Sequence, residues 1–344
     1  MTKDNLDIFS IKNNFNKTEN VSSIEIIKSK LNYIPRVTIA IPTFKRHSLL
    51  KEAIDSALKQ IHYDRFDIII VDNNPQRNCE TEKLLNSLDD LRISYYKNDS
   101  NIGMAGNWNR LFELAKGEYV VMLHDDDLLL PTFLNICMKI LEKEKFIAAL
   151  NPLKFSFSNK CTNDLILNIS KNNLYKKSAT KRIIDLDNHF SYAFGSTSGC
   201  VFKKSIIMKT GGFNDEFYPS IDYHFINILS STNKVYILNQ TLILYRWEDN
   251  ESLKTETLNQ FIIFDYIIRK AILQKYFIPS YLRDIYLSIS TNVFIQNSTI
   301  INKNFEFSLD KLGLKDQSSK YSKFIFYSLN YQLRFLSFVI KKFF

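Results

Sequence analysis

Between Arg36 and Pro131, four short apolar runs alternate with amphipathic stretches, and each run closes on polar residues. "RVTIAI" stops at Pro42, "FDIIIVD" gives way to "NNP", "RISYYKN" follows, and "EYVVML" closes on "HDDD". A continuous run such as Ile68 to Val71 suits a strand buried on both faces of a parallel sheet. Between the runs, "HSLLKEAIDSALKQ" sets Leu49, Leu50, Ala53, Ile54, Ala57 and Leu58 on one helical face. "CETEKLLNSL" predicts a second helix. "GNWNRLFELAKG" predicts a third, with Trp108, Leu111, Phe112 and Ala115 inward and Gly117 at its C-terminal end. This alternation predicts an α/β fold, a doubly wound sheet flanked by helices. Ligands of such sheets bind outside the carboxyl ends of the strands. Pro42-Thr43, Asp72-Asn73 and Asp125 to Asp127 all fall on such ends, so they converge although distant in sequence.

The flanks are less regular. Residues 1–34 are polar and rich in Asn, Lys and Ser, an N-terminal extension in which "VSSIEIIKSKL" predicts a short helix. The expected main domain spans 35–252, with the regular alternation in 35–135 and a less regular part in 136–252. In that second part "NPLKFSFSNK" and "TSGCVFKKS" read as strands. "SIIMKTGGFNDEF" reads as a short helix, a glycine turn and an acidic loop, and "KVYILNQTLILYRW" as two short strands joined by a turn. Residues 253–344 form a helical, basic-aromatic region.

The chain has 344 residues, 45% of them hydrophobic and 24% charged, which is ample material for a core. A net charge of +9 points to an anionic partner. The basic residues are spread out and form no nucleic-acid reading motif, so no nucleic acid is expected. The four cysteines stand singly, without metal-ligand spacing, and read as thiols of a reducing compartment. "MTKDNLDIFSIKNN" lacks the apolar core of a secretory signal, and no uncharged apolar run reaches transmembrane length. The expected location is cytoplasmic.

The triple aspartate has two readings. Three neighbouring carboxylates can be a solvated strand-to-helix loop with an N-cap. They can also hold a hard cation, which takes one or two carboxylates and leaves other positions for water and phosphate oxygens. In "IVDNN", Asp72 either caps a turn or hydrogen-bonds a nucleoside, and Asn73 has the donor and acceptor to read a base edge.

"VTIAIPTFKR", "IIIVDNN" and "NIGMAGNWNRLFELAKGEYVVMLHDDDLLLP", in that order and spacing, resemble the nucleotide-binding half of family 2 glycosyltransferases, enzymes of the GT-A fold. The resemblance is close over residues 36–135 and looser to residue 252. It implies a mixed sheet, a nucleoside diphosphate sugar donor, Mn²⁺ or Mg²⁺, and inversion at the anomeric carbon. Pro42, Thr43 and Phe44 would line the nucleoside pocket, with Arg46 in the same donor-binding set. Asp72 would contact base or ribose, and Asn73 stands where many members have a second Asp against the base. Asn101, Gly103 and Asn109 would border the donor. The family's D-x-D-D motif, counted back from Pro131, puts His124 in place of its first Asp, Asp125 by the ribose or a metal-bound water, and Asp126 as metal ligand. "GGFNDEFYPSIDYHF" resembles the acceptor segment, in which Ile221-Asp222 replaces an acidic pair and Asp222 becomes the general base. From its residues alone, Asp222 could equally cap the helix "DYHFINILSS". "LYRWEDNES" would bring Arg246 to the diphosphate and Glu248 to the metal or phosphate side.

The implied acceptor is a glycan or lipid-linked hydroxyl in surface polysaccharide synthesis. From Asp310 to Phe344 seven Lys or Arg stand against two Asp among many aromatics. This tail reads as a helix packed on the domain or as a surface helix on the anionic inner face of the cell membrane, through 320–344. A rival reading is a GT-A-like binding or scaffold protein without turnover, favoured by His124 and Ile221. A nucleotidyltransferase would need a glycine-rich loop where this chain has "PTFKRHS", and a dehydrogenase a G-x-G-x-x-G that no strand precedes.

Overall fold

The computed structural model describes residues 7–158, 163–174, 179–188, 194–247 and 254–343. The chain enters through β1 (Ser23–Ile27) and then builds the expected alternation: β2 (Val37–Thr43), α1 (His47–Leu58), β3 (Phe66–Asp72), α2 (Glu80–Asn86), β4 (Ile93–Asn98), α3 (Gly103–Leu114) and β5 (Tyr119–Met122). After β6 (Leu128–Leu129) come α4 (Phe133–Lys143), β7 (Ile147–Phe157), α5 (Asn163–Leu174), β8 (Thr180–Ile183) and α6 (Asp185–Asn188). The acceptor half continues through β9 (Cys200–Lys203), α7 (Lys204–Lys209), α8 (Ile221–Thr232) and β10 (Lys234–Arg246). Three long helices close the chain: α9 (Thr255–Lys275), α10 (Ser280–Ile301) and α11 (Lys320–Phe343).

All ten strands belong to one mixed sheet of order β1-β4-β3-β2-β5-β9-β7-β10-β6, with β8 paired to β10. β2, β3, β4 and β5 are mutually parallel, and every residue of β2 and β3 is buried. Their unbroken apolar runs follow from that, because helices cover both faces. α1 turns Leu50, Ala53, Ile54 and Ala57 inward on one face, and α3 buries Trp108, Leu111 and Phe112 on the other.

Three expectations are corrected. "VSSIEIIKSKL" contains strand β1, not a helix, because it pairs antiparallel with the exposed edge of β4. The N-terminal residues are therefore part of the sheet. "KVYILNQTLILYR" is one strand of thirteen residues with register shifts between Leu238 and Ile243, so the polar "NQ" marks irregular pairing in place of a turn. Gly117 is no helix cap. It lies past the end of α3, where a Cβ would strike the backbone at Thr38.

Candidate active site

The site begins where β2, β3 and β5 end together. Thr43 in β2 accepts the Asn73 amide at 2.9 Å, and Ala40 accepts that of Leu123 at 3.0 Å. This register delivers His124 to Asp127 to the rim opposite Thr43. Thr43 Oγ1 donates to Asp125 Oδ2 at 2.8 Å. The Arg46 guanidinium lies 3.2 Å from Asp125 Oδ1 and 3.0 Å from Asp126 Oδ2. Burial pushes the Asp125 carboxyl up to about 6 against the pull of Arg46. Burial and the Asp126 charge also raise Asp127. Asp127 Oδ1 accepts the Arg246 amide at 2.9 Å, whereas its Oδ2 is buried without a hydrogen-bond partner.

His124 stands at the inner end of this row. Its ring stacks on Trp108 with centroids 5.2 Å apart, and its Nε2 is buried without a partner. Burial lowers its pKa to about 4, so the imidazole is neutral at pH 7 and keeps a lone pair. His124, Asp126 and Asp127 offer ligand atoms within 4.8 Å of one another.

Asp222 approaches from the acceptor half, in the first turn of α8, where its Oδ1 accepts the Tyr223 amide at 2.8 Å. The charges of Asp127 and Asp222 both act on Lys154 of β7. Burial pushes Asp222 up to about 6 and Lys154 down to about 8. Lys154 also donates to Asn151 Oδ1 at 2.9 Å.

Several expected donor contacts are committed to other partners. Asp72 is fully buried and accepts from Asn74 N at 2.9 Å, Tyr95 Oη at 2.9 Å and Lys97 Nζ at 2.8 Å. It fixes the turn after β3. Asn73 donates to Asn101 Oδ1 and Gly103 O, and accepts from Asn98 Nδ2 and Ile102 N. Its amide is engaged in holding the start of α3. Asn109 clasps Phe213 through both its amide and its carbonyl, at 2.9 and 2.7 Å. Arg246 is also redirected. Its Nε donates to Asp126 O at 3.0 Å, its Nη2 pairs with Glu52 at 2.6 Å, and its face covers Phe157. It braces the aspartate loop from behind. Pro42 is buried within β2, while Phe44, Asn101 and Gly103 are exposed at the rim. Glu248 lies outside the described residues.

Sequence reasoning missed Lys154, Glu52 and the ligand geometry of His124 and Asp127. The lone lysine in "NPLKFSFS" was the signal for the first, a cation inside a strand with no acid near it in sequence. A separate cleft of about 500 Å³, lined by Arg36, Arg65, Lys116 and Lys204 among others, lies where β2, β3 and β5 begin, away from these carboxylates.

Comparison with known proteins bears on the family and the fold. The sequence profile described as Glycosyl transferase family 2 matches residues 38–210, just over half of the chain. The GalNAc(5)-diNAcBac-PP-undecaprenol beta-1,3-glucosyltransferase of Campylobacter jejuni is 31% identical over 220 residues, 62% of this chain and 65% of that protein. The crystal structure of S. aureus TarS 1-349 with UDP-GlcNAc superposes with a TM-score of 0.57 at 13% identity, over 80% of this chain and 77% of that one. The mannosyltransferase PcManGT from Pyrobaculum calidifontis, in complex with GDP-Man and Mn²⁺, does so with a TM-score of 0.50 at 15% identity, over 91% and 86%. These two share the GT-A sheet, with the aspartate row of this chain at its carboxyl rim. The chain belongs to glycosyltransferase family 2.

Proposed function

We propose that this glycosyltransferase moves a sugar from a nucleoside diphosphate sugar to a hydroxyl of a glycan or lipid-linked acceptor, with inversion and with Mn²⁺ or Mg²⁺ bound. The observation that carries the reading is the cluster of His124, Asp126 and Asp127 ligand atoms, within 4.8 Å of one another at the carboxyl rim of the sheet. The residues fit a divalent cation. His124 Nε2 and Asp127 Oδ2 are buried without partners, and such atoms are costly unless something coordinates them. One imidazole among carboxylates favours Mn²⁺ over Mg²⁺. Bound there, the cation would supply positive charge for the departing diphosphate.

The chain's own residues do the rest. Phe44 and Asn101, exposed at the rim, meet the nucleoside. Thr43 and Arg46 hold Asp125 toward the ribose side. Arg246 and Glu52 keep the aspartate loop rigid. Asp222 takes the proton of the acceptor hydroxyl as that oxygen bonds to the anomeric carbon. The bond from that carbon to the diphosphate breaks in the same step, and its electron pair leaves with the diphosphate. A single displacement inverts configuration. The Campylobacter relative, named for an undecaprenol-linked substrate, supports a lipid-linked acceptor and a role in surface polysaccharide synthesis.

Thermal stability with UDP, dTDP, GDP and CDP, each with Mn²⁺ or EDTA, tests the donor side. One nucleotide is expected to raise Tm, and EDTA and Asp126→Ala are each expected to abolish the shift. No shift with any nucleotide would favour a binding protein that kept the fold without turnover.

A further inference from the structure

Helix α11 carries two apolar faces, and the protein covers one. Leu329, Leu333 and Ser337 are buried, and Phe326, Leu336 and Ile340 pack against the same cluster as α9 and α10. Ser337 and Lys341 tie the helix to Asp187 at 2.8 and 2.7 Å. On the other side Tyr321, Phe324, Tyr327, Tyr331, Phe335 and Phe338 are between 59% and 83% exposed. They recur every three or four residues, so at 3.6 residues per turn the two sets centre about 180° apart. Scattered exposed apolar side chains are ordinary, whereas a continuous aromatic stripe along one helix is not.

The charges say what covers the stripe. Between Lys320 and Phe343 the helix has five Lys or Arg and no acid. Lys341 is used by Asp187, and Lys320 and Lys323 are exposed. Phe rings and Tyr rings with polar tips, flanked by cations, match the boundary between acyl chains and anionic headgroups. Among the described residues no helix is long and apolar enough to cross a membrane, so this one lies on the surface. We propose that the exposed face of α11 seats the enzyme on an anionic phospholipid bilayer. The cluster that holds α11 also contains Phe217 and Tyr223, the latter adjacent to Asp222, so the lipid-facing stripe is rigidly joined to the acceptor half. This binding stands apart from the catalytic reading.

Flotation of the full chain with vesicles tests it. The protein should float with phosphatidylcholine vesicles containing about one third phosphatidylglycerol, and much less with phosphatidylcholine alone. Replacing Phe324, Tyr331 and Phe335 together by Ser should abolish flotation without lowering Tm, because these side chains are exposed. The Lys320→Gln, Lys323→Gln pair should weaken binding to the anionic vesicles by about fivefold per cation. Flotation unchanged in the triple variant, or absent in the parent, overturns the proposal. So does a concentration-dependent dimer that the triple variant dissociates while no vesicle is bound, which would assign the face to a second copy.

Discussion

A fully buried carboxylate is tolerable only while its cation stays, and Asp72 has one: Lys97, whose side chain is 3% exposed. Lys97 also donates to Asn74 O and Gln76 O, so one ammonium closes the whole turn after β3. Lys97→Met should cost about 3–5 kcal/mol in urea denaturation, most of it from the stranded Asp72 charge. Asp72→Asn added to it should recover part of that loss, whereas two independent roles would make the losses add. The acceptor-side carboxylate works differently. As the proposed base, Asp222 must be unprotonated to accept a proton, and burial pushes its pKa up to about 6. Turnover is therefore expected to fall below pH 6 and level off above it. Asp222→Asn should remove turnover and keep the nucleotide-induced Tm shift, and full activity in that variant would sink the assignment. The aspartates and the strand-end placement were readable from sequence. The occupation of Asp72, Asn73 and Arg246 was not, because their partners are set by tertiary packing, in the case of Arg246 with a residue 194 positions away.

At the level of elements, regular pattern and true structure agree where burial dictates pattern. α1, α3 and the parallel strands were legible because one face or both must be apolar. β1 was not, because a half-exposed edge strand carries a mixed pattern that also fits a helix turn. β10 hid its continuity behind polar residues at irregular pairing. The glycine turn after α7 was legible as a turn, but its reason is tertiary. Gly211 has φ +85°, and a Cβ there would collide with the Lys12 carbonyl, while the Asn14 amide donates to Gly211 O at 2.9 Å. Gly103 has a similar φ of +73° with open space around it. Gly103→Ala should cost about 1–2 kcal/mol, the backbone strain alone. Gly211→Ala should cost clearly more and should detach the N-terminal segment, seen as faster proteolysis before Val21. Equal losses in the two variants would mean the segment's contact contributes nothing.

Across the whole molecule, the N-terminal segment is a brace between the two halves and not an appendage. β1 extends the donor half, Lys17 reaches Asp215 and Asn214 in the acceptor half, and Ile8 O meets His224 Nε2 at 3.1 Å. His224 is 3% exposed, stacks on Phe217 with centroids 3.5 Å apart, and its other ring nitrogen has no partner. Burial lowers its pKa to about 3, against 6.5 in the unfolded chain. Between those values the unfolded chain binds the extra proton and the folded one does not, so stability rises with pH. The contribution is complete above pH 6.5 and is lost progressively as pH falls from there toward 3. Asp125 and Asp222 act in the opposite sense, because their raised pKa values make the folded state the better proton binder as pH falls toward 4. The net acid response of the parent therefore mixes both signs, and only a difference isolates the histidine. His224→Phe keeps the stack on Phe217 and removes the titration. Between pH 7 and 5 its Tm should fall by several degrees less than that of the parent, measured by scanning calorimetry at each pH. Parallel pH profiles would show that His224 takes up its proton in the folded state, and that the joint between the N-terminal segment and α8 is open to water.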